Sequence, residues 1–232
     1  FLNLSALVFG VHIFRITGLL LVLLYHFFQT VFPGGFFGVD VFFTFSGFLI
    51  TALLIEEFNN HQQIDLLGFL KRRFYRIFPP VVVMILVTIP FTFLVRRDYV
   101  AGIGGQIAGV LGFMTNFYEM LTGGSYESQF IPHLFVHNWS LAVEVHYYIL
   151  WGLAVWFLSK WARSKGELRG MVFLLSTASF LISFFSMFIG SFLVNSYSSL
   201  YFSSLTHIYP FFLGSIFATV VGVSCRQHGI GS

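Results

Sequence analysis

Arg15 and His26 are the residues in this chain best placed to do chemistry, because both are ionisable and both sit in apolar surroundings. The run "FRITGLLLVLLYHFFQTVF" that holds them contains no other charged residue. Eleven residues separate the pair. At about 100° per residue the chain returns to within about 20° of its starting direction, so both share one helix face. They stand about 16 Å apart along the axis, roughly half a hydrocarbon core. Ionisable groups inside a membrane are costly and usually face a bundle interior or a wet cavity. A neutral imidazole, with an ordinary pKa of about 6.5, can take a proton from a hydroxyl, so His26 has the character of a general base. The alternative is structural, an arginine snorkelling to headgroups and a histidine satisfied by a backbone carbonyl. The two residues alone leave both readings open.

Three further places could join them. In "LKRRFYRIFPP" Arg73 and Arg76 are three apart and share a face if helical, just before an apolar stretch. With Arg72 they form an arginine cluster of the kind that grips phosphates through guanidinium forks. Topology and lipid anchoring explain such a cluster equally simply. Glu144, in "NWSLAVEVHYYILW", is a carboxylate in the first turns of an apolar helix and needs a cation or a histidine near it. It would orient His26 or hold it protonated after proton transfer, as carboxylates do in other acyl-transfer sites. A purely structural Arg–Glu pair is the competing account. Tyr147, Tyr148 and Trp151 follow at helical spacing and line the same region. Asp40, in "GGFFGVDVFFTFSGFLIT", is a similar case, with glycines that permit close helix packing and an arginine as the expected partner.

The elements that must hold these groups are membrane helices. The chain is 57% hydrophobic and 9% charged, with a mean hydropathy of +0.85. Soluble domains carry about 25% charged residues, so this one would expose large apolar patches in water. We expect an all-α, polytopic bundle with spanning segments at about 13–32, 37–55, 79–95, 99–118, 139–158, 171–194 and 205–224. Pro33-Gly34-Gly35, Pro79-Pro80, Gly123-Gly124 and Pro132 are the expected breaks. Lys71, Arg72, Arg73 and Arg76 put the loop 56–76 in the cytoplasm by the positive-inside rule. Lys160 to Arg169 asks for the same side, which strict alternation of seven segments forbids. The glycine-rich "VAGIGGQIAGVLGFMTN" is therefore expected to be re-entrant or to lie on the membrane surface.

Other functions are disfavoured. A single cysteine, Cys225, excludes an internal disulfide, and a net charge of +3 implies no nucleic-acid partner. His61, His133, His137, His146 and His207 are scattered, and no spacing among them makes a convincing metal site, so none is expected. There is no Gly-x-Ser-x-Gly elbow and no phosphate-binding P-loop. The chain starts at Phe1 and ends just past a hydrophobic segment, so we read it as a fragment.

In order along the chain, Arg15-x10-His26, "GGFFGVDVFFTFSGFLIT" at 34–51, "FLKRRFYRIFP" at 69–79 and "WSLAVE" at 139–144 resemble the acyltransferase-3 membrane family. The later "YFSSLTHIYPFFLGSIFA" at 201–218 resembles the branch of it that O-acetylates peptidoglycan in Gram-positive bacteria. The resemblance implies a multi-pass protein of the bacterial plasma membrane, with residues 1–232 forming part of a larger bundle of about ten helices. It implies acetyl-CoA as a cytoplasmic donor, no permanently bound cofactor, and a cell-wall glycan or an acetyl-accepting secreted domain as recipient. By motif, the essential arginine and histidine fall on Arg15 and His26, and the acid on Glu144. Substrate binding falls on Arg72, Arg73, Arg76, Asp40, Trp139, Ser140 and Tyr147. Val145 and His146 depart from relatives that have Glu and Gln there, Phe14 replaces a common Leu, and His207 stands where many have arginine.

Two other functions remain in view. One keeps acyl transfer but directs it to an exopolysaccharide or lipid-linked sugar. The other is a transporter or flippase, whose intramembrane ions would line a pathway; no second copy of the Arg15–His26 pattern supports it. Residues 1–232 alone are expected to be inactive, since buried polar groups on the open side of the bundle would lack partners. Acetyl transfer by that segment in liposomes would contradict this.

Overall fold

A computed structural model describes residues 16–18, 20–24, 27–28, 37–95, 102–122, 133–193 and 197–221. Among these the regular structure is entirely helical. We label the helices α1 (Gly38–His61), α2 (Leu66–Val95), α3 (Ile103–Leu111), α4 (Thr115–Thr122), α5 (Trp139–Trp161), α6 (Lys165–Leu193), α7 (Tyr197–Phe202) and α8 (Tyr209–Val221); a short 3-10 turn, Val136–Asn138, leads into α5. Four of the described helices, α1, α2, α5 with its leading turn, and α6, are long and apolar enough to cross a membrane. The expectation of a polytopic helical bundle is met.

Several boundaries differ from the sequence reading. The basic run before Pro79-Pro80 is itself helical, and α2 continues straight through both prolines and Pro90. Pro79 and Pro80 remove the main-chain donors that would face the carbonyls of Tyr75 and Arg76. Apolar helices tolerate such losses where neighbouring groups re-satisfy the backbone. The stretch 99–118 is not one crossing helix. Its described part holds α3, of nine residues, and α4 begins within it. A turn with Phe113 at φ 53° separates the two. Nine residues rise only about 14 Å, less than half a hydrocarbon core. In the 205–224 stretch, α8 accounts for thirteen described residues.

The chain forms two compact units, one from residues 1–64, 154–182 and 209–232, the other from 65–153 and 183–208. In the first, α1 and α8 pack backbone to backbone. A Cβ on Gly47 would stand 2.0 Å from the Phe211 carbonyl oxygen, and one on Gly214 only 1.8 Å from that of Thr44. Small residues allow this approach, the usual device where lipid offers no hydrophobic contrast. Around the seam Phe43 stacks on Phe211 at 4.3 Å, and Thr51 Oγ1 donates to Ser215 Oγ at 2.9 Å. Arg169 of α6 donates to the carbonyls of Thr219 and Val220, a cation satisfying the C-terminal end of α8. Gly18 and Gly38 make a second close approach, bringing the helical residues near 18 against the start of α1.

In the second unit, α2 and the first half of α5 run antiparallel. Phe69 meets Gly152 near one end, and Asn138 reaches Met84 near the other. Asp65 caps α2 by accepting from the Gly68 N–H at 2.9 Å. Val81, Ile85, Val110 and Phe135 form the buried core that holds α3 against α2. Large apolar side chains of α2 such as Leu86, Phe91 and Leu94 face outward, a surface suited to lipid.

Two glycines separate close packing from simple helix propensity. Gly214→Ala is expected to cost about 3 kcal/mol or more by forcing α1 and α8 apart. Gly170→Ala, with nothing near its added Cβ, should stabilise α6 by up to about 1 kcal/mol. Thermal unfolding of the two variants in detergent micelles checks both signs.

Candidate active site

Among the described residues of the second unit, Glu144 is one of two buried carboxylates. It is 5% exposed, on the face of α5 that also buries Tyr147 and Tyr148. The hydroxyl of Tyr148, one helical turn on, donates to Glu144 Oε1. Tyr147 stacks on Trp151, with ring centroids 6.0 Å apart, and meets Tyr148 edge-on. These aromatics fix the rotamers on that face and keep water from the carboxylate.

The cation comes from α2. Arg73 is half-buried, with its guanidinium 6.0 Å from the Tyr148 ring centroid and 5.6 Å from that of Phe69. Such stacking holds a planar cation over aromatic faces while leaving its N–H fork to bind in plane. Arg73 and Tyr148 share the wall of an apolar cavity of about 170 Å³, lined also by Leu70, Phe74, Ile77, Phe113, Val145 and Ile149. The arrangement runs guanidinium, phenol, carboxylate, and opens on a space about the size of a small acyl group. An arginine there can bind an anion, and the carboxylate can hold the phenol proton in place.

The other expected site residues fall in different places. Arg72 and Arg76 are on α2 as expected but exposed, so only Arg73 of the three reaches the cavity. Trp139, 6% exposed, packs against Tyr201, Phe202 and His207, and Ser140 Oγ donates to the His137 carbonyl at 3.2 Å. Both stand at the start of α5 and do not line that cavity. Asp40 lies in the first turn of α1, in the other unit, where a carboxylate suits the helix dipole. Arg15 and His26 lie outside the described residues.

The sequence reading passed over a second group of polar side chains in the same unit. Asn116 and Glu119 of α4 are buried, at 0% and 4% exposure. Glu119 Oε2 lies 2.7 Å from His133 Nδ1, so one histidine read as scattered has a carboxylate beside it. Asn116 Nδ2 donates to Ser204 Oγ at 2.9 Å, and His146 Nδ1 lies 2.9 Å from the same oxygen. The available signal was an Asn and a Glu three apart in an apolar stretch, which the neighbouring glycines overshadowed. Among the described residues no three His, Cys, Asp or Glu side chains converge as metal ligands.

Comparison with known proteins agrees with the motifs. The family model described as Acyltransferase domain matches residues 6–227. A Staphylococcus aureus protein named O-acetyltransferase OatA is 32% identical over 211 residues, 91% of this chain and 34% of the relative. Peptidoglycan O-acetyltransferase OatA of Listeria monocytogenes is 30% identical over 159 residues, 68% of this chain and 26% of the relative. A putative O-acetyltransferase of Staphylococcus aureus is 30% identical over 204 residues, covering 88% of the chain and 33% of the relative. The chain thus spans about a third of the length of the curated relatives it matches most extensively. No solved structure matches it.

Tyr148→Phe leaves the buried Glu144 one donor short and is expected to cost about 1–3 kcal/mol without changing the fold. Glu144→Gln in the same background should recover part of that loss, because the charge that needed the donor is gone. Unfolding midpoints of the two single variants and the double variant measure it.

Proposed function

The chain belongs to the Acyltransferase domain family, and from that premise we propose that it is the membrane part of an O-acetyltransferase that takes acetyl groups from cytoplasmic acetyl-CoA and delivers them to a cell-wall glycan. The muramic acid hydroxyl of peptidoglycan is the acceptor this reading favours, in keeping with the name of the Listeria monocytogenes relative. The protein would then be a multi-pass protein of the bacterial plasma membrane. The observation that carries the reading is Arg73 stacked on Tyr148 at an acyl-sized cavity, with the Tyr148 hydroxyl held by buried Glu144.

The proposed division of labour follows from solvation. Coenzyme A is large and polyanionic, and the apolar lining of this cavity does not suit its phosphates. Its phosphates belong near water, where exposed Arg72 and Arg76 stand on the same helix as Arg73. The acetyl end alone enters the apolar space, and Arg73 bridges the two environments. His26 then serves as general base towards a receiving hydroxyl, with Arg15 near the donor entrance and Glu144 setting the local charge. An antiparallel α2–α5 pair, with no crossing helix among the described residues between them, supports one cytoplasmic side for both basic stretches.

Two substitutions in the complete protein test this in cells lacking the native enzyme. His26→Ala is expected to abolish glycan acetylation, and undiminished acetylation would remove His26 from the chemistry. Arg73→Gln should raise the KM for acetyl-CoA at least about tenfold, as loss of a charge-assisted contact of about 1.5–3 kcal/mol requires. An unchanged KM would show that the donor binds elsewhere.

A further inference from the structure

Ser204 stands in the turn between α7 and α8, half-buried, and its hydroxyl oxygen has two side-chain partners at 2.9 Å. Asn116 Nδ2 donates to it, which fills one lone pair. His146 Nδ1 faces it, and with the ring proton on the other nitrogen this atom accepts the Ser204 hydroxyl proton. The backbone of Phe113 lies beside the His146 ring. Phe113 adopts φ 53°, a left-handed conformation unusual for a bulky residue. Strained backbone of this kind clusters where the structure holds a functional group in place.

A serine within hydrogen-bond reach of a histidine, with its hydroxyl oxygen held by a buried amide, has the geometry of an activated nucleophile. Packing alone does not account for it. Asn116 is fully buried, yet its Oδ1 is without a hydrogen-bond partner. The amide is oriented to serve Ser204, at the expense of a partner for its own oxygen.

We propose that Ser204 is an acyl-carrying nucleophile, with His146 as its general base and Asn116 as its positioning residue. The proposal rests on the acetyl-transfer reading for its donor and deepens it by naming a group that carries the acetyl between donor and glycan. Ser204 Oγ attacks the carbonyl carbon of an acetyl thioester while its proton passes to His146 Nδ1. The C–S bond breaks and the donor departs as the thiolate, leaving an acetyl ester on the serine and the proton on His146. A glycan hydroxyl, its proton taken by the general base that the acetyl-transfer reading assigns to it, then attacks the ester carbonyl, and His146 returns its proton to Ser204 Oγ as the ester bond to the serine breaks. His146 thus serves Ser204, and His26 is left to a separate proton transfer.

The test uses the complete protein in detergent, given either isotope-labelled acetyl-CoA or 4-nitrophenyl acetate, quenched in acid and mapped by peptide mass spectrometry. The expected result is an acetyl group on Ser204 with both donors, none at that position in Ser204→Ala, and labelling at least about 100-fold slower in His146→Gln. Ser204→Cys should carry the label as a thioester at position 204, which separates lost nucleophilicity from a disturbed turn. Labelling of Ser204 by the activated ester but not by acetyl-CoA would uphold the carrier and overturn the donor assignment. Acetyl-CoA turnover at the wild-type rate in Ser204→Ala would overturn the carrier and leave the donor assignment standing. No label on Ser204 from either donor would also overturn the carrier.

Discussion

A carboxylate buried in an apolar helix must be solvated by the protein itself. Glu144 meets that demand through the Tyr148 hydroxyl, and much of the second unit follows from it. Tyr148 in turn presents its ring to Arg73, so α2 has to pass with its fourth and eighth residues, Phe69 and Arg73, beside the middle of α5. Gly152 admits Phe69 at that crossing with almost no spare room. The donor, the ring and the close approach constrain one another. A helix pair held this way has little freedom to slide, which is what a site for a small acyl group requires.

The first unit solves a different problem with different residues. Between α1 and α8 the constraint is contact distance, met by Gly47, Gly214 and hydroxyl-bearing neighbours. Its hydroxyls are fully buried, Thr51 donating across the seam to Ser215 and Ser215 donating to the Phe211 carbonyl of its own helix. Such a seam is tight without being charged. Among the described residues of that unit, Arg169 stands at the end of α8 and Asp40 in the first turn of α1.

What the sequence revealed tracks how local each signal is. Long apolar stretches declared the membrane helices, because length and composition suffice for that. Glu144 was visible as a charge out of place, with Tyr148 at a one-turn spacing, whereas Arg73 stood out only as one of an arginine cluster and its place beside Tyr148 is set by the packing of α2 on α5. The prolines misled, since Pro79-Pro80 ends a helix in water but not in an apolar environment that restores the backbone contacts. Asn116, Ser204 and His146 were invisible as a group because 88 and 58 residues separate the partners. No periodicity reports a contact made through a turn so far along the chain. Arg15 and His26, the most conspicuous pair in the sequence, remain an expectation drawn from residue type and family resemblance.

Arg73, Tyr148 and Glu144 are proposed to act as one unit beside the apolar cavity. A double-mutant cycle between Arg73→Gln and Tyr148→Phe, read as kcat/KM for acetyl transfer by the complete protein, addresses that directly. A coupling of about 1 kcal/mol or more between the two substitutions is the predicted result. Effects that add to within about 0.5 kcal/mol would show that the two residues act independently and would contradict the account.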